Sequence, residues 1–178
     1  MKQNKSIFHT AAMLVAVFVL LSANALAQDK AKPASPPATA SATVGTAKIK
    51  IDYSSPSVKG RKVWGELVPM GKVWRTGANG ATTFETDKAI MVEGKELAAG
   101  KYALLTIPGE KEWTIVFNKD AGQWGAYQYK QDQDVLRVNV KPKKSAKFNE
   151  QLAFAVGTKG NVDFMWENMQ VSFMVKAK

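Results

Sequence analysis

The chain has 178 residues, a formal net charge of +10, one histidine and no cysteine. The histidine is His9, so nothing after it can supply an imidazole or a thiol. That excludes Ser-His-Asp and Cys-His nucleophiles, His/Cys-ligated zinc, copper, haem and iron–sulfur sites, and disulfides. No metal or cofactor is expected, and any catalysis would rest on carboxylates, lysines, tyrosines or hydroxyls.

Residues 1–27 read as a cleaved secretory signal. Lys2 and Lys5 form a positive start, Ala11 to Leu21 is an unbroken apolar run, and Ala25-Leu26-Ala27 offers small residues for cleavage before Gln28. The run is too short for a membrane span, which needs about 20 apolar residues. The expected product is periplasmic or secreted, with no transmembrane anchor after cleavage. The remainder is strongly basic, which favours an anionic envelope polymer or an acidic glycan as partner. Nucleic acid is not expected outside the cell. A solvated basic surface with no ligand is the alternative.

Residues 28–43 carry Pro33, Pro36 and Pro37 and no apolar side chain larger than Ala. They cannot bury enough area to offset ordering, so a disordered linker is expected. All five Trp and all four Tyr lie beyond Val44, which marks 44–178 as a single domain.

Within it the pattern alternates with period two. Ala47, Ile49, Ile51 and Tyr53 alternate with Lys48, Lys50 and Asp52, as a half-buried strand does. Residues 82–86 and 90–92 flank Asp87-Lys88 as an expected hairpin. Glu93-Gly94-Lys95 and Ala99-Gly100-Lys101 are turns. Pro108-Gly109 suits the centre of a type II turn joining 102–107 to 113–117. Further strands are expected at 135–140, 148–156, 162–166 and 171–175, with a short turn at Trp64–Val68. The inward set runs from Ile49 and Ile51 through Leu104, Ile107, Ile115, Phe117, Leu136, Val138 and Val140 to Phe154, Val156, Val171, Phe173 and Val175. The fold class is all-β: an antiparallel β-sandwich or flattened barrel of eight to nine short strands, with one long irregular Gly/Pro-rich connection.

That connection, Ser55 to Asn79, reads SPSVKGRKVWGELVPMGKVWRTGAN. It is similar to the signature of an exported bacterial family, domain of unknown function 2911. The resemblance continues through Ala99-Gly100-Lys101-Tyr102, Ile107 to Trp113, Asp134-Val135-Leu136-Arg137 and Trp166-Glu167-Asn168. It implies an exported β-rich domain and carries no catalytic residues with it.

The same segment concentrates positive charge and aromatic surface. Lys59, Arg61, Lys62, Trp64, Trp74 and Arg75 are the candidate ligand-binding residues, with Lys72 beside them. Guanidinium groups fork onto carboxylate or phosphate, and indoles stack on sugar rings. Two dispositions stand open: a binding surface, or a plug in which Arg75 pairs with Glu66 or Glu85 while the Trp residues fill the core. The residue types favour the structural role for Arg75 and the binding role for Arg61 and Lys62. Asp120, Asp132 and Asp134 lack the spacing of a calcium loop and are expected as solvated carboxylates. Lys141, Lys143, Lys144 and Lys147 are expected in an exposed hairpin connection. Trp124, Tyr127 and Tyr129 are either a glycan platform or inward strand residues.

Function therefore reads as a non-enzymatic binding or envelope-associated module for an acidic or saccharide ligand. The alternatives are a carboxylate-based glycan hydrolase drawing on Glu66, Glu85 and Glu167, and a purely structural assembly domain.

Overall fold

The computed structural model describes residues 33–178, which contain the compact unit Ala34–Lys178. The expected signal segment and the first part of the expected linker lie outside the described residues. Ten strands run in order: β1 (Pro37–Val44), β2 (Ala47–Ser54), β3 (Thr83–Thr86), β4 (Ile90–Val92), β5 (Lys95–Leu97), β6 (Gly100–Ile107), β7 (Trp113–Asn118), β8 (Asp134–Val140), β9 (Lys143–Val156) and β10 (Asn161–Ala177). They form a six-stranded sheet in the order β1-β2-β3-β6-β7-β8 and a four-stranded sheet in the order β5-β4-β10-β9. Every pairing is antiparallel and neither sheet closes on itself, so the molecule is a β-sandwich and not a barrel.

The core lies between the sheets. Phe84 and Phe117 from one sheet meet Phe173 from the other, with centroids 6.3 and 6.0 Å away. The expected inward set is buried, apart from Ile107 and Val156, which are half-buried. Ala103, Leu105 and Val116 point the other way, into a smaller cluster on the outer face of β6 and β7. Val73, Ala81 and Tyr129 cover that cluster, so irregular chain lies over the outside of the sheet.

Four expectations need correction. Residues 37–43 are not linker: they form β1, paired with β2 from Pro37↔Ser54 to Val44↔Ala47. Only small side chains face inward there, so backbone pairing and not apolar area orders the strand. Strands β3 and β4 do not form a hairpin. The chain crosses between sheets at Asp87-Lys88, where Asp87 Oδ1 accepts the Lys48 N–H at 2.7 Å. The segments 162–166 and 171–175 belong to one strand, β10, bent by irregularities on either side of Glu167, whose φ is +54°. The Pro108-Gly109 turn does join β6 to β7, but Gly109 lacks the positive φ of a type II turn. Glycine serves there because a Cβ would lie 2.3 Å from the Glu112 carbonyl oxygen. The turn at Glu93-Gly94 is a two-residue hairpin with φ of +46° and +79°, the type I′ geometry suited to twisted strands.

Candidate functional site

The long connection closes one end of the sandwich. Val58, Val63, Val68 and Trp74 drop into the main core, so the segment is a plug through its apolar residues. It is stitched to β9 by Val58 N–H to Glu150 O at 2.7 Å, Leu152 N–H to Pro56 O at 2.9 Å and Ser55 Oγ to Leu152 O at 2.6 Å. Its charged residues other than Arg75 turn outward. Lys59 is exposed at φ +50° with Gly60 at +67°, and its N–H donates to Glu150 Oε1 at 2.9 Å. Arg61, also exposed, folds back on its own loop, donating from Nε to Val58 O at 3.0 Å and from Nη2 to Ser57 O at 2.6 Å. Lys62 pairs with Glu66 at 3.1 Å, both side chains well exposed.

Trp74 then extends the six-stranded sheet beside β6, exchanging backbone hydrogen bonds of 2.7 and 2.9 Å with Thr106. Its ring stacks on Trp166 at a 5.9 Å centroid separation. Trp64 stands edge-on to Trp74, Trp113 and Trp166. Both indoles singled out in the sequence thus belong to an aromatic core cluster, and packing engages their faces.

Immediately after Arg75 the backbone enters a costly conformation. Thr76 is fully buried at φ +52°, a region β-branched residues avoid. Its surroundings hold it there: Thr76 Oγ1 lies 3.1 Å from Thr106 Oγ1, and Thr82 Oγ1 donates to Thr76 O at 2.9 Å. Gly77 comes next, where an added Cβ would sit 2.9 Å from Thr82 Oγ1 and 3.1 Å from Ser54 O.

These constraints shape a cleft of about 160 Å³ whose walls include Ser35, Pro56, Arg61, Trp74, Arg75 and Trp166. No carboxylate among the described residues lines it. Arg75 makes no ion pair among the described residues: Glu66 is engaged by Lys62, and Glu85 is exposed on β3 opposite Lys101. The expected internal pair is therefore absent. The Arg75 Nε–H is buried and has no acceptor among the described residues, and the same holds for the indole N–H groups of Trp64, Trp113 and Trp166. A buried donor without an acceptor costs about 1–3 kcal/mol, and two of these four belong to residues that line the cleft, Arg75 and Trp166.

Beside the cleft stands the loop 119–133. An ideal Cβ on Gly125 would lie 3.4 Å from Arg75 Nη1 and 3.3 Å from Tyr127 Cδ2, so the guanidinium reaches this loop. Trp124 and Tyr127 are 63% and 86% exposed. A polar hub anchors the loop from beneath. The Asp134 carboxylate accepts from Tyr129 Oη at 2.7 Å, Arg137 Nε at 2.7 Å and Asn118 Nδ2 at 2.8 Å. Arg137 Nη2 also donates to Tyr129 Oη. Burial and the neighbouring Asp134 carboxylate push the Tyr129 phenol above its ordinary pKa. Burial pulls Arg137 down, but Asp134 outweighs it and holds the guanidinium above its ordinary value. The expectation of a solvated Asp134 is corrected here: its side chain is 7% exposed, at the centre of this hub.

Of the predicted site residues, Arg61, Trp74 and Arg75 meet at the cleft, while Lys59 and Lys62 lie on the exposed loop surface and Trp64 sits in the aromatic cluster. Glu66, Glu85 and Glu167 do not line the cleft. Lys141, Lys143, Lys144 and Lys147 are exposed, but the connection they flank runs from one sheet to the other and not through a hairpin. The sequence reading missed Trp166, the cleft wall contributed by β10. Its place in an alternating run, Val162, Phe164, Trp166, was the available signal.

The chain belongs to the family described as a protein of unknown function (DUF2911), whose model matches residues 35–175. The match starts just before β1, in agreement with a domain that includes this strand. No curated protein matches the chain, and no solved structure does.

Proposed function

We propose that this domain is a non-enzymatic binding module that takes an oxyanion-bearing ligand, the acid group of a saccharide, into the cleft beside Arg75. One observation carries the reading: Arg75 lines the cleft with its Nε–H buried and with neither an acceptor nor a carboxylate partner among the described residues. A carboxylate or similar oxyanion is the group a planar guanidinium fork fits best. Trp166, whose buried indole N–H is likewise unpaired, lines the same cleft. A volume of about 160 Å³ is close to that of an engineered cavity that holds benzene, and below the several hundred Å³ of whole-ligand sites. The cleft therefore suits a single acidic ring or head group, with the rest of the ligand outside. Cleavage before Gln28 would deliver the domain to the periplasm or medium, where acidic envelope polymers and glycans are available.

The hydrolase alternative needs two carboxylates about 5–10 Å apart around one sugar, and the described residues lining the cleft include none. The test uses the purified full chain titrated with galacturonate and, in parallel, galactose. Galacturonate should bind, galactose should not, and Arg75→Gln should abolish the difference while the melting temperature stays within a few degrees. Equal galacturonate binding by wild type and Arg75→Gln would remove the reading.

A further inference from the structure

Trp124 and Tyr127 are large aromatic side chains left in water on a loop that is otherwise tightly fixed. The fixing is internal and polar. Gln123 is 3% exposed, and its Nε2 donates to Asn118 Oδ1 at 3.2 Å and to Asp120 O at 2.9 Å. Gln123 O accepts the Ala81 N–H at 3.2 Å, which ties the loop to the chain just beyond Arg75. Trp124 N–H donates to Gln128 Oε1 at 3.2 Å, and Tyr129 closes onto the Asp134 hub. The two rings therefore stand on a preorganised mount. Rigid Tyr and Trp surfaces give contact area at low entropic cost, the property of aromatic recognition platforms.

We infer that Trp124 and Tyr127 form a sugar-stacking platform contiguous with the Arg75 cleft, so that the ligand is an acidic oligosaccharide. One acidic residue enters the cleft, and the next ring or rings lie on the exposed aromatics. This rests on the cleft reading above and extends it from a head group to a polymer. Arg75 joins the two parts, since the residue lines the cleft while its Nη1 borders Gly125. The apolar faces of pyranose rings suit exposed indole and phenol rings, and the Arg75 guanidinium beside Gly125 suits a carboxylate.

The experiment compares galacturonate with oligogalacturonate on the full chain, following tryptophan fluorescence and calorimetric affinity. Four proteins are used: wild type, Trp124→Ala, Trp124→Ala/Tyr127→Ala and Arg75→Gln. The oligomer should bind wild type at least about tenfold more tightly than the monomer, with an emission shift from Trp124. The double variant should lose that gain, keep monomer affinity and melt as wild type does, because both side chains are exposed. Arg75→Gln should lose the monomer and weaken the oligomer. Raising salt should weaken the Arg75-dependent part more than the aromatic part. An oligomer gain that survives in the double variant overturns the platform and leaves the cleft standing. A wild type that binds oligomer without binding monomer overturns the cleft reading and the two-part site with it. Absence of any oligomer gain, with aromatic-dependent sedimentation on anionic phosphatidylglycerol vesicles, replaces the platform with a lipid contact.

Discussion

Replacing Asp134 with Asn separates a structural hub from an ornament of the surface. The carboxylate is 7% exposed and accepts three hydrogen bonds, two of them at Oδ2, from Tyr129 and Arg137. An amide keeps one oxygen, so the Asn118 bond can survive. At the other position an NH₂ then faces Arg137 Nε–H, donor against donor. The substitution therefore removes one charge-assisted hydrogen bond and leaves a cation without its partner. Hydrogen bonds to charged groups contribute about 1.5–3 kcal/mol, and complete loss of one member of a buried ion pair costs about 3–5 kcal/mol. Arg137 is 35% exposed, so water recovers part of the loss and about 2 kcal/mol is expected. For a domain of this size that lowers the melting temperature by about 6–8 °C.

The loss should also be local. Amides of residues 121–129 should exchange faster with deuterium, while those of β2 and β10 keep their protection. Arg137→Met should cost a similar amount, and the double variant less than the sum, because both break one contact. The combination of thermal melts and residue-resolved exchange decides the matter. A melting temperature within 1 °C of wild type, or a drop with unchanged exchange at 121–129, would refute the hub.

Two further outcomes concern the core and one carboxylate. Phe117→Ala deletes a fully buried ring packed against Phe84 at 5.1 Å and Phe173 at 6.0 Å, and should cost about 3–5 kcal/mol in urea unfolding; a loss below about 1 kcal/mol would contradict the sandwich core. Asp163 lies below its ordinary pKa: burial would raise it, but hydrogen bonds from Ser172, Asn161 and Gln170, with Lys143 nearby, outweigh that effect. Its contribution is thus present above the unfolded value, about pH 4, and is lost as pH falls through the lower folded value. Asp163→Asn should lower the urea midpoint at pH 7 and flatten its decline below pH 4, and parallel declines in variant and wild type would exclude this role.

The strands that the sequence displayed are those held by side-chain burial. Strand β2 alternates Ala47, Ile49 and Ile51 inward with lysines outward, and it reads at sight. Strand β1 offers only Pro, Ala, Thr and Ser until Val44, so its tie to β2 through backbone pairing leaves almost no compositional trace. Two strands are expected at 162–166 and 171–175, where the chain runs as one strand that bends at Glu167. Partner choice was less legible still. Glu66 and Glu85 stood equally available to Arg75 in one dimension. Folding gives Glu66 to Lys62, one helical turn's spacing away, and leaves Glu85 in solvent opposite Lys101. The two arginines accordingly differ in a way no local pattern announced: Arg61 commits Nε and Nη2 to its own loop's carbonyls, whereas Arg75 Nε has no acceptor among the described residues.

The plug and the site are consequences of the same turn. Trp74 must point inward to complete the aromatic cluster, and Thr76 must be buried to meet Thr106 and Thr82. With both neighbours committed inward, Arg75 stays only partly buried, with its guanidinium beside Gly125. Holding Thr76 at φ +52° costs about 1–3 kcal/mol, and closing the sandwich end does not by itself require a cation there. An apolar or short polar residue at 75 would close the same end without the unmatched Nε–H. On the binding reading proposed above, the locked backbone at Thr76 would let Arg75 meet an oxyanion without having to be ordered first.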